Sequence, residues 1–195
     1  MELFNNLGEL IDKIIDMLGV YGPMLGCFLI VVESIVPLLP LSVFITLNFL
    51  GFGSLLGFLI SWICTIIGCM ISFALFRGGF RRWFMERVRV KKNVNKLMKK
   101  LEEMKFQSLV VLIAIPFTPA FLINIASALS KMNIKKFGIA IAIGKLFMVY
   151  FWGFVGTSLV QSLTNPTALF KVIIASVIAY VASIIINKKF DIDFK

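Results

Sequence analysis

Residues 52–76, FGSLLGFLISWICTIIGCMISFALF, run for 25 positions without a charge. About 20 helical residues cross the hydrocarbon layer of a bilayer, so this stretch specifies a transmembrane helix. In lipid every backbone polar group needs an internal partner, and a helix supplies it. The rest of the chain agrees. Its residues are 59% hydrophobic, against ~45–50% in soluble domains, and a soluble chain of this size has too much surface to hide that excess. The length suits one domain. The expected class is an all-α integral membrane protein.

The other segments are less regular. Residues 1–19 read as an amphipathic helix, with Leu3, Leu7, Leu10, Ile11, Ile14 and Leu18 on one face and Glu2, Glu9, Asp12, Lys13 and Asp16 on the other. Such a helix lies in the interface or packs on the bundle. No basic stretch with a short apolar core and cleavage site precedes it, so a removable signal peptide is not expected. Residues 20–50 are apolar but interrupted by Glu33, Pro37 and Pro40. Residues 77–105 hold eleven Lys or Arg and three Glu, and 86–105 can form a helix with Val90, Val94, Leu97, Leu101 and Met104 on one side. Residues 106–130 repeat the earlier interruption with Pro116 and Pro119. A second span is expected at 137–160 and a last one at 168–186, followed by a tail, 187–195, with Lys188 and Lys189.

Charge orients these segments. The net charge is +10, and the basic residues gather in 77–105, 131–136 and the tail. By the positive-inside rule those parts are cytoplasmic. A nucleic-acid role for the basic segment is not expected, and attraction to anionic headgroups is its natural by-product. Residues 106–130 then enter and leave the membrane on the inner side as a re-entrant hairpin. A matching hairpin at 20–50 enters from the outer side. The alternative is a full crossing by 20–36, which places the N-terminus inside. The reading is a multi-pass protein of a cytoplasmic membrane, with basic loop and C-terminus inside.

The two halves form an inverted repeat. Each has a P-x-x-P hairpin (PLLP at 37–40, PFTP at 116–119), an Asn soon after (Asn48, Asn124), and then a full span. Proline removes an amide donor and breaks helix bonding. Broken backbone at membrane depth survives where protein or a wet cavity satisfies it, and paired discontinuous hairpins place a substrate path near the midplane. The plainer alternative is four kinks in packed helices. Gly53 with Gly57, and Gly153 with Gly156, have the spacing of close helix packing, and a homo-oligomer is compatible with them.

Two charges lie inside the apolar segments. Glu33 is the only acidic one, and such a group faces a cavity or a partner. It is a candidate proton carrier. Lys145 lies eight residues past Phe137. It can snorkel to the inner interface, pair with Glu33, or attract a lipid phosphate. The chain has no His, which removes His triads, His metal sites and His switches. Cys27, Cys64 and Cys69 have no metal or redox spacing and read as packing residues. No paired carboxylates or metal constellation mark an enzyme, so no catalysis, metal or cofactor is expected.

The order Glu33-x-x-x-Pro37-x-x-Pro40, a basic segment, then IPFTPAFLINIASALSKMNIKKFGIAIAIGK at 115–145 resembles the DedA family, also called the VTT-domain or SNARE-associated Golgi protein family. The resemblance covers residues 20–160, with Pro116, Pro119, Asn124, Met132, Phe137 and Gly144 its most specific points. It implies lipid transport, scramblase- or flippase-like, acting on phospholipid or, in bacterial members, polyprenyl phosphate. Glu33 matches the acidic residue of the first hairpin. Bacterial members usually carry an Arg three residues before the first Pro of the second hairpin. Here that residue is Ile113, which leaves Lys145 or Asn124 as the available phosphate partners. The resulting expectation is a lipid translocase in a bacterial cytoplasmic membrane. Its headgroup path involves Glu33, Pro37, Pro40, Pro116, Pro119, Asn124 and Lys145. A small-solute or ion transporter and a non-transporting homeostasis or assembly protein are the alternatives.

Overall fold

The computed structural model describes residues 21–36, 40–79, 91–118, 120–162 and 166–189. The expected N-terminal helix, Pro37, Pro119, residues 80–90 and the last six residues lie outside them. Among the described residues seven helices follow in order: α1 (Tyr21–Ile35), α2 (Leu41–Gly78), α3 (Lys91–Glu103), α4 (Phe106–Ala114), α5 (Ala120–Leu129), α6 (Ile134–Gln161) and α7 (Pro166–Lys189). Among the described residues there is no strand. α2, α6 and α7 are long and apolar enough to cross a membrane.

α2 is two helices. Gly53 has φ 77° and ψ 169°, a conformation essentially confined to glycine. The chain reverses there: the Asn48 amide donates to the Ser61 hydroxyl at 3.0 Å, whereas 13 residues of straight helix would span about 20 Å. A Cβ on Gly57 would strike the Asn48 carbonyl and the Phe49 backbone. Gly57 therefore does the close packing expected of the GxxxG pair, and Gly53 instead makes the turn. Its positive φ serves the reversal, so its reading as a packing residue is corrected.

Contacts fix the directions. Met70 faces Gly138 and Phe73 stacks on Phe137, while Phe58 meets Tyr150. The 54–78 arm and α6 thus run antiparallel, side by side. The Trp62 indole donates to the Ala142 carbonyl at 2.8 Å, so its polar edge is satisfied between them. α1 approaches Asn48 through Gly26 and Gly68 through Ser34. It therefore descends from the Gly53 end, and the 41–52 arm climbs back. α4 starts from the opposite end, near Lys136, and reaches Gly144 through Ile113; α5 returns to that end. Two helical hairpins thus approach from opposite ends, and α1 touches α5.

The end where α2 stops and α6 starts is basic. Arg77 donates to the carbonyls of Ala128 (3.1 Å), Ser130 (2.8 Å) and Met132 (2.8 Å), satisfying orphan acceptors at and beyond the end of α5. Its guanidinium also lies over Phe73. Lys136 donates to the Met104 carbonyl, Glu102 accepts from the Lys131 amide, and Asn133 caps α6. Leu97, Leu101 and Met104 bury the apolar side of α3 and its exit against the second hairpin, as the periodicity predicts.

Candidate functional site

The two hairpin tips enclose a cavity of about 360 Å³. Glu33, Pro40, Leu41 and Ser42 line it from the first hairpin, Pro116, Thr118, Ala120 and Phe121 from the second, and Met148 and Trp152 from α6. Met148 lies 14 residues into the 28 of α6, so the cavity sits near half height. The volume falls in the range of small-ligand sites, about 300–1,000 Å³. The prolines explain why the tips are there. Pro116 follows Ile115, whose extended backbone ends α4, and Pro40 is likewise extended at the start of α2. Glu33 sits two residues before the end of α1 and shares the cavity wall with residues of the second tip.

Behind the cavity is a narrow crevice lined by Leu112, Ile113, Thr118, Ala120, Ile123, Asn124, Ile141 and Lys145, without room for a water molecule. Lys145 is 1% exposed. Its ammonium donates to the Met148 sulfur at 3.2 Å, a weak acceptor. It points toward the hairpin tips, one turn on from its own Cα, rather than back toward the basic end, so it does not snorkel. Glu33 and Lys145 make no ion pair; Glu33 lines the cavity and Lys145 the crevice behind it. Met148 and Thr118 stand between their two spaces, since Thr118 lines both and Met148 lines the cavity while holding Lys145.

The two asparagines dock their hairpins on one helix. Asn48 donates to Ser61, and Asn124 donates to the Cys69 sulfur at 3.4 Å. Ser61 and Cys69 are eight residues apart on the same face of the 54–78 arm. Both asparagines are buried, and both side-chain oxygens lack a partner in the structure, as does the Thr118 hydroxyl. Asn124, Lys145 and Ile113 share the crevice; Glu33, Pro40 and Pro116 share the cavity. Sequence reasoning missed Ser42, Thr118, Met148 and Trp152. Two of them carry a readable signal: Thr118 is the polar residue between Pro116 and Pro119, and Ser42 follows Pro40 by two positions.

Among the described residues no cluster of His, Cys, Asp and Glu could hold a metal ion. The geometry instead offers a mostly apolar pocket at half the height of α6, with one carboxyl and two hydroxyl side chains in its wall and one ammonium just behind it.

Comparison with known proteins gives matches over most of the chain. The family model of the VTT domain matches residues 39–158, and a model of a protein of unknown function, DUF1145, matches residues 139–181. The uncharacterized membrane protein YhjE of Bacillus subtilis is 30% identical over 174 residues, covering 89% of this chain and 84% of the relative. The uncharacterized protein YqeD of the same organism is 24% identical over 128 residues, covering 66% of this chain and 62% of the relative. No solved structure matches.

Proposed function

The chain belongs to the VTT-domain (DedA) family of membrane proteins, and on that premise we propose that it is a lipid translocase whose headgroup path is the cavity between the two hairpin tips. In this reading the hairpins are re-entrant and inverted: each enters the bilayer from its own side, and their tips meet near the midplane. A phospholipid or polyprenyl-phosphate headgroup passes between the tips while its tails stay in lipid. Glu33 contacts the headgroup or carries a proton with it.

The observation that carries the reading is the shared cavity. Residues from both hairpins line one space at half height, and the one carboxyl of the apolar segments is in its wall. A polar group at that depth is costly unless a cavity or partner receives it.

The test is lipid scrambling by the purified protein in liposomes with headgroup-labelled phospholipids. The expected result is fast movement, reduced at least about tenfold in Glu33→Gln, which equals a loss of about 1.4 kcal/mol at the barrier. No movement of neutral, anionic or polyprenyl-phosphate lipids, with or without a proton gradient, would overturn it.

A further inference from the structure

We infer that Lys145, with Thr118, forms an occluded subsite for a phosphate-ester oxyanion directly behind the Glu33 cavity, with Met148 as its movable wall. The inference rests on the translocase reading for its biological use but not for its geometry.

The Lys145 ammonium is buried and, among the described residues, no carboxylate bonds to it. Among the described residues its ammonium reaches only the Met148 thioether, and the charge on Glu33 is not in contact. Burying an ammonium without a hydrogen-bonded counter-charge is expensive. An incoming anion that supplies the counter-charge recovers that cost, and neutral or cationic groups do not. The crevice also holds an unsatisfied hydroxyl, Thr118 Oγ1, on a side chain 6% exposed. A hydroxyl can turn its proton toward an oxyanion. Asn124, 1% exposed, sits in the same crevice with its amide bonded only weakly to sulfur; a half-turn of that amide presents its NH2 instead of its oxygen.

The crevice is closed in this structure, so ligand entry needs a door. Thr118 lines both spaces, whereas Met148 lines the cavity while its sulfur holds Lys145; Met148 is unbranched with freely rotating bonds. A change of its rotamer releases Lys145 and joins crevice to cavity without moving a helix. A phosphate that enters between the hairpin tips then meets Lys145 and Thr118 on one side, with Glu33 on the other. Selectivity follows: Glu33 disfavours a bare anion in the cavity unless protonated, and Lys145 favours the phosphate once the wall has moved.

The test is thermal stabilisation of the purified, detergent-solubilised protein, which reads binding without transport. The probes are short-chain phosphatidic acid, a short prenyl phosphate, inorganic phosphate and the matching diacylglycerol. The two phosphate esters are expected to raise Tm for the unaltered chain and for Lys145→Arg, and at least tenfold higher ligand is expected for the same shift in Lys145→Met and Thr118→Val. Diacylglycerol should give none. Stabilisation by inorganic phosphate alone would assign the subsite to a free anion rather than a lipid. Equal stabilisation of Lys145→Met, or none of the unaltered chain by any phosphate, overturns the subsite. Should Lys145→Met not remain monodisperse, Thr118→Val decides alone. Because binding is read directly, these outcomes stand apart from a failure of scrambling.

Discussion

The two hairpins share an element order but are held in different ways. The second is tied at its base by side chains bonding to backbone: Arg77 to three carbonyls, Lys136 to Met104, and Glu102 to the Lys131 amide. It also shares a large core with α2, α3 and α6 that includes Phe73, Leu101, Leu109, Ile125 and Phe137. The first has a small core of Ile30, Leu41, Phe44, Ile45, Phe49, Met148 and Val149. It is held mainly by close approach at glycines. Gly68 admits Ser34, Gly153 admits the Phe49 ring, and Gly156 admits Thr46. One hairpin is anchored by directional bonds at the basic end; the other is seated by shape against α2 and α6. The cavity is therefore built between a bolted wall and a packed one, and α6 supplies the surface common to both.

That contrast can be broken at its strongest point. Arg77→Ala removes three charge-assisted bonds and a contact with Phe73, and is expected to cost about 3 kcal/mol, seen as a lowered Tm in detergent. A loss under about 0.5 kcal/mol would mean that the second hairpin is held by its core alone. Gly53→Ala comes next. A side chain at φ 77° and ψ 169° strains the reversal, and about 2 kcal/mol is expected by the same measurement. A neutral Gly53→Ala would contradict the fold-back of α2. The smallest effect sharpens the comparison between the paired asparagines. Asn48→Ala loses a bond to a hydroxyl and is expected to cost up to about 1 kcal/mol, whereas Asn124→Ala loses a weak bond to sulfur and should cost less. The reverse order would show that the second hairpin depends on its asparagine more than its neighbours suggest.

Much of this architecture is legible in the sequence. The spans come directly from uncharged runs, because a bilayer admits few alternatives to a helix. The breaks come from Pro40 and Pro116, since missing amides end helices wherever they fall. Glu33 and Lys145 announce themselves by being charged where charge is costly. What the sequence hides is partnership across distance. Arg77 reads as the first residue of a basic loop, yet it caps a helix some 50 residues later, and nothing local marks that. Gly53 looks like its neighbour Gly57; only the tertiary fold separates turn from contact. Met148 and Trp152 look like ordinary apolar positions of a span, and become walls of the cavity only because both hairpin tips arrive beside them. Lys145 illustrates the limit most clearly: its depth is readable, but the direction of its side chain is not.

The claim on which everything rests is that the path runs between the two tips. Ser42 and Ala120 line the cavity from opposite hairpins. In a background with Cys27, Cys64 and Cys69 replaced by Ala, the pair Ser42→Cys and Ala120→Cys can be bridged by a reducible thiol cross-linker in liposomes. Bridging is expected to stop lipid movement and reductant to restore it, whereas either single substitution treated the same way keeps moving lipid. Undiminished lipid movement by fully bridged protein would contradict it and place the path elsewhere.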